Sequence, residues 1–308
     1  MTLSIHSRSR LLQRFRPFRI IDGLLALFVA LSLSLGVSGC SAVRLGYNHA
    51  PELSYWWLDS FLDFNETQTL KVRADLALLQ DWHRAHELPL YVSTLEKMQR
   101  MAPSKLSPEQ VCELFDELKP RLHALIDQAA PTVAVLAPTL TAEQLDHLAR
   151  QLNKRGEKWR EEWLEGTPTE RSARRVKQLL EPAEMLYGQL EEPQLAVLRA
   201  AVAASAFDAA TSYRESLRRH QDALQTLQRL QPGTLSEGSA LAEVRALLGR
   251  AMDSPDASYR HYSEKITQEN CRAFATLHNS ATPAQQLKLI ETLSGYVSDA
   301  RALMAPRP

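Results

Sequence analysis

The sequence predicts an all-α protein of about ten helices in an elongated or bundled array, with no significant sheet. Three observations carry that expectation. Apolar residues recur with a period near 3.6, helix starts are written repeatedly in one form, and Gly is scarce at 11 of 308 residues. Scarce Gly disfavours tight hairpins and phosphate loops, because few other residues adopt positive φ cheaply. The 44% hydrophobic content is enough for a folded core, and a formal net charge of zero argues against a nucleic-acid partner.

The first element along the chain is an address. Arg8, Arg10, Arg14, Arg16 and Arg19 precede an apolar run from Leu24 to Leu35, and Val37-Ser38-Gly39-Cys40 follows. A basic region, a short apolar run and a small-residue site are the parts of a secretory signal, and the run is shorter than the roughly 20 residues of a membrane span. Val37-Ser38-Gly39-Cys40 resembles the lipobox of bacterial lipoproteins. The resemblance implies that residues 1–39 are a cleaved signal peptide and that Cys40 carries a diacylglycerol and an N-acyl chain, with no other cofactor. Ser41 after the cysteine implies sorting to the outer membrane, on its periplasmic face. Each buried methylene adds about 0.8 kcal/mol, so several acyl chains make a stable anchor. Cleavage removes five Arg and one Asp from the balanced 36 and 36, leaving 31 basic and 35 acidic residues and a formal charge of −4.

Residues 40–54 read as a lipid-anchored tether and 55–308 as a single helical periplasmic domain. Helices are expected near 61–87, 90–101, 108–119, 121–136, 142–165, 169–188, 193–230, 237–251, 255–279 and 283–304. Four starts are capping boxes with Glu or Gln at the third helical position: Asn65 with Gln68, Ser107 with Gln110, Thr141 with Gln144, and Thr282 with Gln285. Pro108 and Pro283 sit where a helix needs no N–H. Interior prolines, Pro120 and Pro131 among them, mark breaks or kinks. The 193–230 helix is expected to break near Phe207-Asp208, and Gln231-Pro232-Gly233-Thr234 marks a loop near 231–238. The intervals between boxes are unequal, so no fixed-period solenoid is expected.

With Cys40 acylated, Cys112 and Cys271 remain. In an oxidising compartment they can pair, closing a long loop, or stay apart as buried thiols. Two cysteines with scattered histidines make no zinc pattern. His83 and His86 share a helical face near Glu87, but the sequence before Pro89 reads better as a polar helix end, so no metal is expected. Glu215-Ser216 matches the pair sought in lytic transglycosylases, yet the Gly-rich segments that shape a sugar cleft are missing. The Lys154–Trp163 run interleaves bases with Glu157, Glu161 and Glu162, which makes it a salt-bridged solvated face.

The most unusual segment is Tyr55-Trp56-Trp57-Leu58-Asp59-Ser60-Phe61-Leu62-Asp63-Phe64. Its aromatics, Tyr55, Trp56, Trp57, Phe61 and Phe64, can rest on lipid or a membrane-near partner. They can equally pack as the first core element, a reading favoured by Asp59 and Asp63, which interrupt a continuous lipid face. The block from Cys40 through Tyr55-Trp56-Trp57-Leu58-Asp59, with Thr141-Ala142-Glu143-Gln144-Leu145 and Trp159 and Trp163, resembles an uncharacterised family of proteobacterial envelope lipoproteins. That resemblance implies location and a helical fold but supplies no mechanism. Leu140-Thr141-Ala142-Glu143-Gln144 and Leu106-Ser107-Pro108-Glu109-Gln110 are similar to the Leu-Thr-x-x-Gln repeats of small periplasmic chaperones, and membrane-anchored steric foldases share the many short capped helices.

The function expected is a non-enzymatic envelope scaffold or chaperone-like module. Its partners are the bilayer, through Cys40, and an envelope protein. The alternatives are a hydrolase acting on peptidoglycan or lipid, and an anchored spacer.

Overall fold

The computed structural model describes residues 40–231 and 237–305. The basic segment, the apolar run and Val37-Ser38-Gly39 lie outside the described residues, as do residues 232–236 of the expected loop. The described chain is helical throughout, with no strand. Its helices are α1 (Cys40–Asn48), α2 (Ala50–Leu62), α3 (Glu66–His86), α4 (Leu88–Met101), α5 (Pro108–Leu136), α6 (Ala142–Trp163), α7 (Pro168–Tyr187), α8 (Glu192–Ala204), α9 (Ala209–Arg229), α10 (Glu237–Met252), α11 (Ala257–Asn279) and α12 (Pro283–Met304), with a 3-10 turn at Ala137–Thr139. Among these, no single helix is long and apolar enough to cross a membrane.

Two boundaries differ from expectation and a third agrees with it, each for local reasons. Residues 40–54, read as a tether, are helical, and α1 packs on α12 with Arg44 3.2 Å from Asp299. The expected break at Pro120 does not occur, so α5 runs unbroken through Pro120 and Pro131. Both prolines are exposed, so the carbonyls they leave unpaired can turn to water. The break near Phe207-Asp208 does occur: α8 and α9 meet at a 71° bend. Asp208 caps α9 by accepting from the N–H groups of Ala210 and Thr211, while Glu269 of α11 accepts from the Ser205 hydroxyl and the Ala206 N–H.

Two main apolar cores form. One gathers the end of α5, the start of α6, the end of α9 and α10 around Ala130, Ala134, Leu145, Leu148, Leu227 and Val244. The other gathers α7, α8, the end of α11 and the start of α12 around Tyr187, Leu198, Leu277, Leu289 and Leu293. Each is closed by the same device, in which two capping boxes meet head to head.

At the first joint Gln68 and Gln144, both buried, exchange side-chain amide hydrogen bonds of 3.2 and 2.7 Å. Gln144 also donates to the carbonyls of Leu62 and Asp63, and Gln68 to that of Thr139. At the second joint Gln194 and Gln285 exchange amide bonds in the same way, and donate to the carbonyls of Ser280 and Gln189. Each glutamine oxygen also accepts from the backbone N–H of its own cap residue. One side chain thus satisfies a helix start in its own hairpin and a helix end in the hairpin opposite. Ser107 and Gln110 form the same box, but Gln110 is exposed and joins nothing.

The docking of α1 carries a pH signature. The Asp299 side chain is only 2% exposed, and its second oxygen has no hydrogen-bond partner. Burial pushes its carboxyl above the usual range, against the opposing pull of Arg44. Ionisation therefore carries a folding penalty, full above the folded pKa and lost as the pH falls below the unfolded one. Asp299→Asn is expected to raise the unfolding midpoint at neutral pH by removing that ionisation penalty. The gain should shrink in melts at acidic pH.

Candidate functional site

A candidate site lies where α5 and α11 run side by side in opposite directions. Cys112 and Cys271 form a disulfide with their Cα atoms 5.4 Å apart. Leu106, Val111, Phe274 and Ala275 close the helices around it. Asn279, at the end of α11, donates to the Leu106 carbonyl and accepts from its N–H, at 2.9 and 2.8 Å. One turn beyond the disulfide the two helices part. Phe115, Asp116 and Lys119 on α5 then face Ser263, Glu264 and Thr267 on α11 across a cavity of about 600 Å³. Met252 and Asp253, where α10 ends, Arg219 of α9 and Tyr259 and Arg260 of α11 are also in the lining.

The α5 face beside the cavity has one unusual property, although of its stripe only Phe115 lines the cavity itself. Phe115, Leu118 and Leu122 recur at i, i+3 and i+7, and all three are exposed, Phe115 by 44%. Apolar stripes at that spacing normally face a core. Here the rim beside them is charged, with Lys119 3.4 Å and His123 3.9 Å from Asp253. An apolar strip with a rim of both signs suits an amphipathic segment better than a small molecule.

The base of the groove is held by ion pairs. Glu215 of α9 binds Arg218 and Arg219, while Asp222 binds Arg250 of α10 through two bonds of 2.8 and 2.9 Å. Arg218 also donates to the Arg250 carbonyl. Burial pushes the Glu215 carboxyl up, but the hydrogen bonds and charges of Arg218 and Arg219 outweigh it and hold the group below its usual range. That shift is opposite to the one a general acid uses, and Glu215 braces Arg218 and Arg219.

The other singled-out residues divide. Tyr55 is buried and donates to or accepts from Thr69 at 3.0 Å, while Phe61 and Phe64 pack against the first core. Trp56 and Trp57 are instead 58% and 55% exposed. His83 bonds the Tyr47 hydroxyl at 2.9 Å and faces Tyr91, and His86 lies over Trp82. Among the described residues no group of three His, Cys, Asp or Glu side chains could hold a metal. In the Lys154–Trp163 run, Arg160 pairs with Glu157 and Glu165, Trp159 lies flat on Tyr213, and Trp163 meets Phe207 edge-on. Sequence reasoning missed the Phe115-Leu118-Leu122 wall. Its spacing was visible, but nothing local distinguishes an exposed stripe from a buried one.

The fold and site together define a helical, disulfide-braced protein with a cavity between α5 and α11. The chain belongs to the family of unknown function DUF6279, which matches residues 60–283. That match takes in both cysteines and both groove walls and begins beyond Trp57. No curated protein and no solved structure matches the chain.

Proposed function

We propose that this protein is an outer-membrane lipoprotein, acylated at Cys40 and facing the periplasm. It works without catalysis, as a scaffold or chaperone-like module that takes an amphipathic segment of an envelope protein into the α5–α11 groove. The observation carrying the reading is the exposed Phe115-Leu118-Leu122 stripe beside an open cavity of about 600 Å³. The lipobox and Ser41 support the location. The disulfide supports an oxidising compartment, and the proteobacterial lipoprotein resemblance agrees with both.

The test is crosslinking in intact cells, followed by capture and mass spectrometry. Wild type is expected to yield a defined partner. Phe115→Asp, which places a charge on an exposed wall, should cut that adduct at least about tenfold, the loss of one good apolar anchor, at an unchanged unfolding midpoint. Cys40→Ala should lose the adduct through mislocalisation. An adduct of equal yield from wild type and Phe115→Asp contradicts the groove.

A further inference from the structure

The exposed tryptophans lie on a surface whose occupant can be argued from the chain itself. On α2, at about 100° per residue, Leu53, Trp56, Trp57 and Ser60 fall within roughly a 100° arc, and all four are exposed. Buried Tyr55 and half-buried Leu62 point to the opposite side. The two aspartates that break the block in sequence do not break the stripe. Asp59 turns off it to accept from the Phe64 N–H at 2.9 Å, and Asp63 ends α2 in the left-handed conformation at φ 48°. Arg73 of α3 pairs with Glu52 at 2.8 Å and covers the Tyr55 ring. On α3, Leu70, Ala74, Ala77 and Leu78 form an exposed strip of their own. Soluble surfaces scatter such residues singly, whereas here Leu53, Trp56 and Trp57 share one exposed face of α2.

Only α1 and the first turn of α2 separate Leu53 from Cys40, and a helix rises about 1.5 Å per residue, so the stripe starts within roughly 20 Å of the anchor. Because α1 is docked on α12 and not free, the acyl chains and the stripe belong to one rigid end of the molecule. We infer that the outer face of the α2–α3 hairpin, led by Trp56 and Trp57, lies in the headgroup region of the bilayer and fixes how the helical domain stands on the membrane. Tryptophan suits that zone because its ring is apolar and its N–H can reach water. The inference rests on acylation of Cys40 as proposed above.

The test uses full-length acylated protein in vesicles of phosphatidylethanolamine and phosphatidylglycerol with brominated acyl chains, which quench tryptophan only at bilayer depth. Wild type should float with the vesicles and be quenched. Trp56→Phe with Trp57→Phe should still float but lose nearly all lipid-dependent quenching, while Trp159→Phe should keep it. Wild type that floats without quenching overturns the inference and leaves the anchor intact. Wild type that neither floats nor carries an acyl mass on its Cys40 peptide overturns the anchor reading, and this inference with it.

Discussion

Replacing both Cys112 and Cys271 by Ser is expected to lower stability by about 2–5 kcal/mol, near the upper end because the bridge closes a loop of 159 residues in sequence separation. The bond ties the start of α5 to the middle of α11, which no local contact brings together in the unfolded chain. Urea unfolding of the oxidised protein, the reduced protein and the double Ser variant measures the loss. The disulfide also sits at the narrow end of the groove, so the Ser variant should bind its partner more weakly even where it remains folded. An unchanged unfolding midpoint would show that the surrounding contacts, Asn279 on Leu106 among them, already fix the two helices.

Gln144→Glu is expected to cost about 3–5 kcal/mol at neutral pH. The amide nitrogen of Gln144 donates to Gln68 and to the carbonyls of Leu62 and Asp63, and a carboxylate there meets only acceptors. The cost should shrink as the pH falls through the carboxyl range, because the protonated acid regains one donor. Gln110→Glu is the matched control. It keeps the same capping box, sits exposed, and should change stability by less than about 0.5 kcal/mol. Chemical unfolding of the two variants at neutral and acidic pH separates a joint from an ordinary cap. Equal effects at the two positions would remove the joint's special role.

That contrast also marks how far the sequence could be read. The boxes at Asn65, Thr141 and Thr282 were legible because capping is local, set by residues three apart. That Gln68 finds Gln144, and Gln194 finds Gln285, was not, since pairing joins residues 76 and 91 positions apart. The Glu191 box has a glutamate where Ser, Thr, Asp or Asn normally announces a cap, so the usual signal is missing there. Pro120 was misleading for a related reason. A proline breaks a helix where the freed carbonyl is buried, and burial is a property of the fold. The aromatic block shows the same limit, since its composition could not separate Tyr55 and Phe64, which pack inward, from Trp56 and Trp57. The groove needed three things at once, the disulfide, the parting of two helices and the floor from α9 and α10. Only the two cysteines were visible beforehand.

The measurement that bears most directly on the central claim is site-specific photocrosslinking in intact cells. A photoreactive residue replaces Lys119, inside the groove, and separately Met185, exposed on α7. A defined adduct from position 119, absent from position 185 and weakened when the Cys112–Cys271 bond is removed, is the result this account predicts. The same adducts from both positions, or none from position 119 in folded and correctly anchored protein, would contradict it.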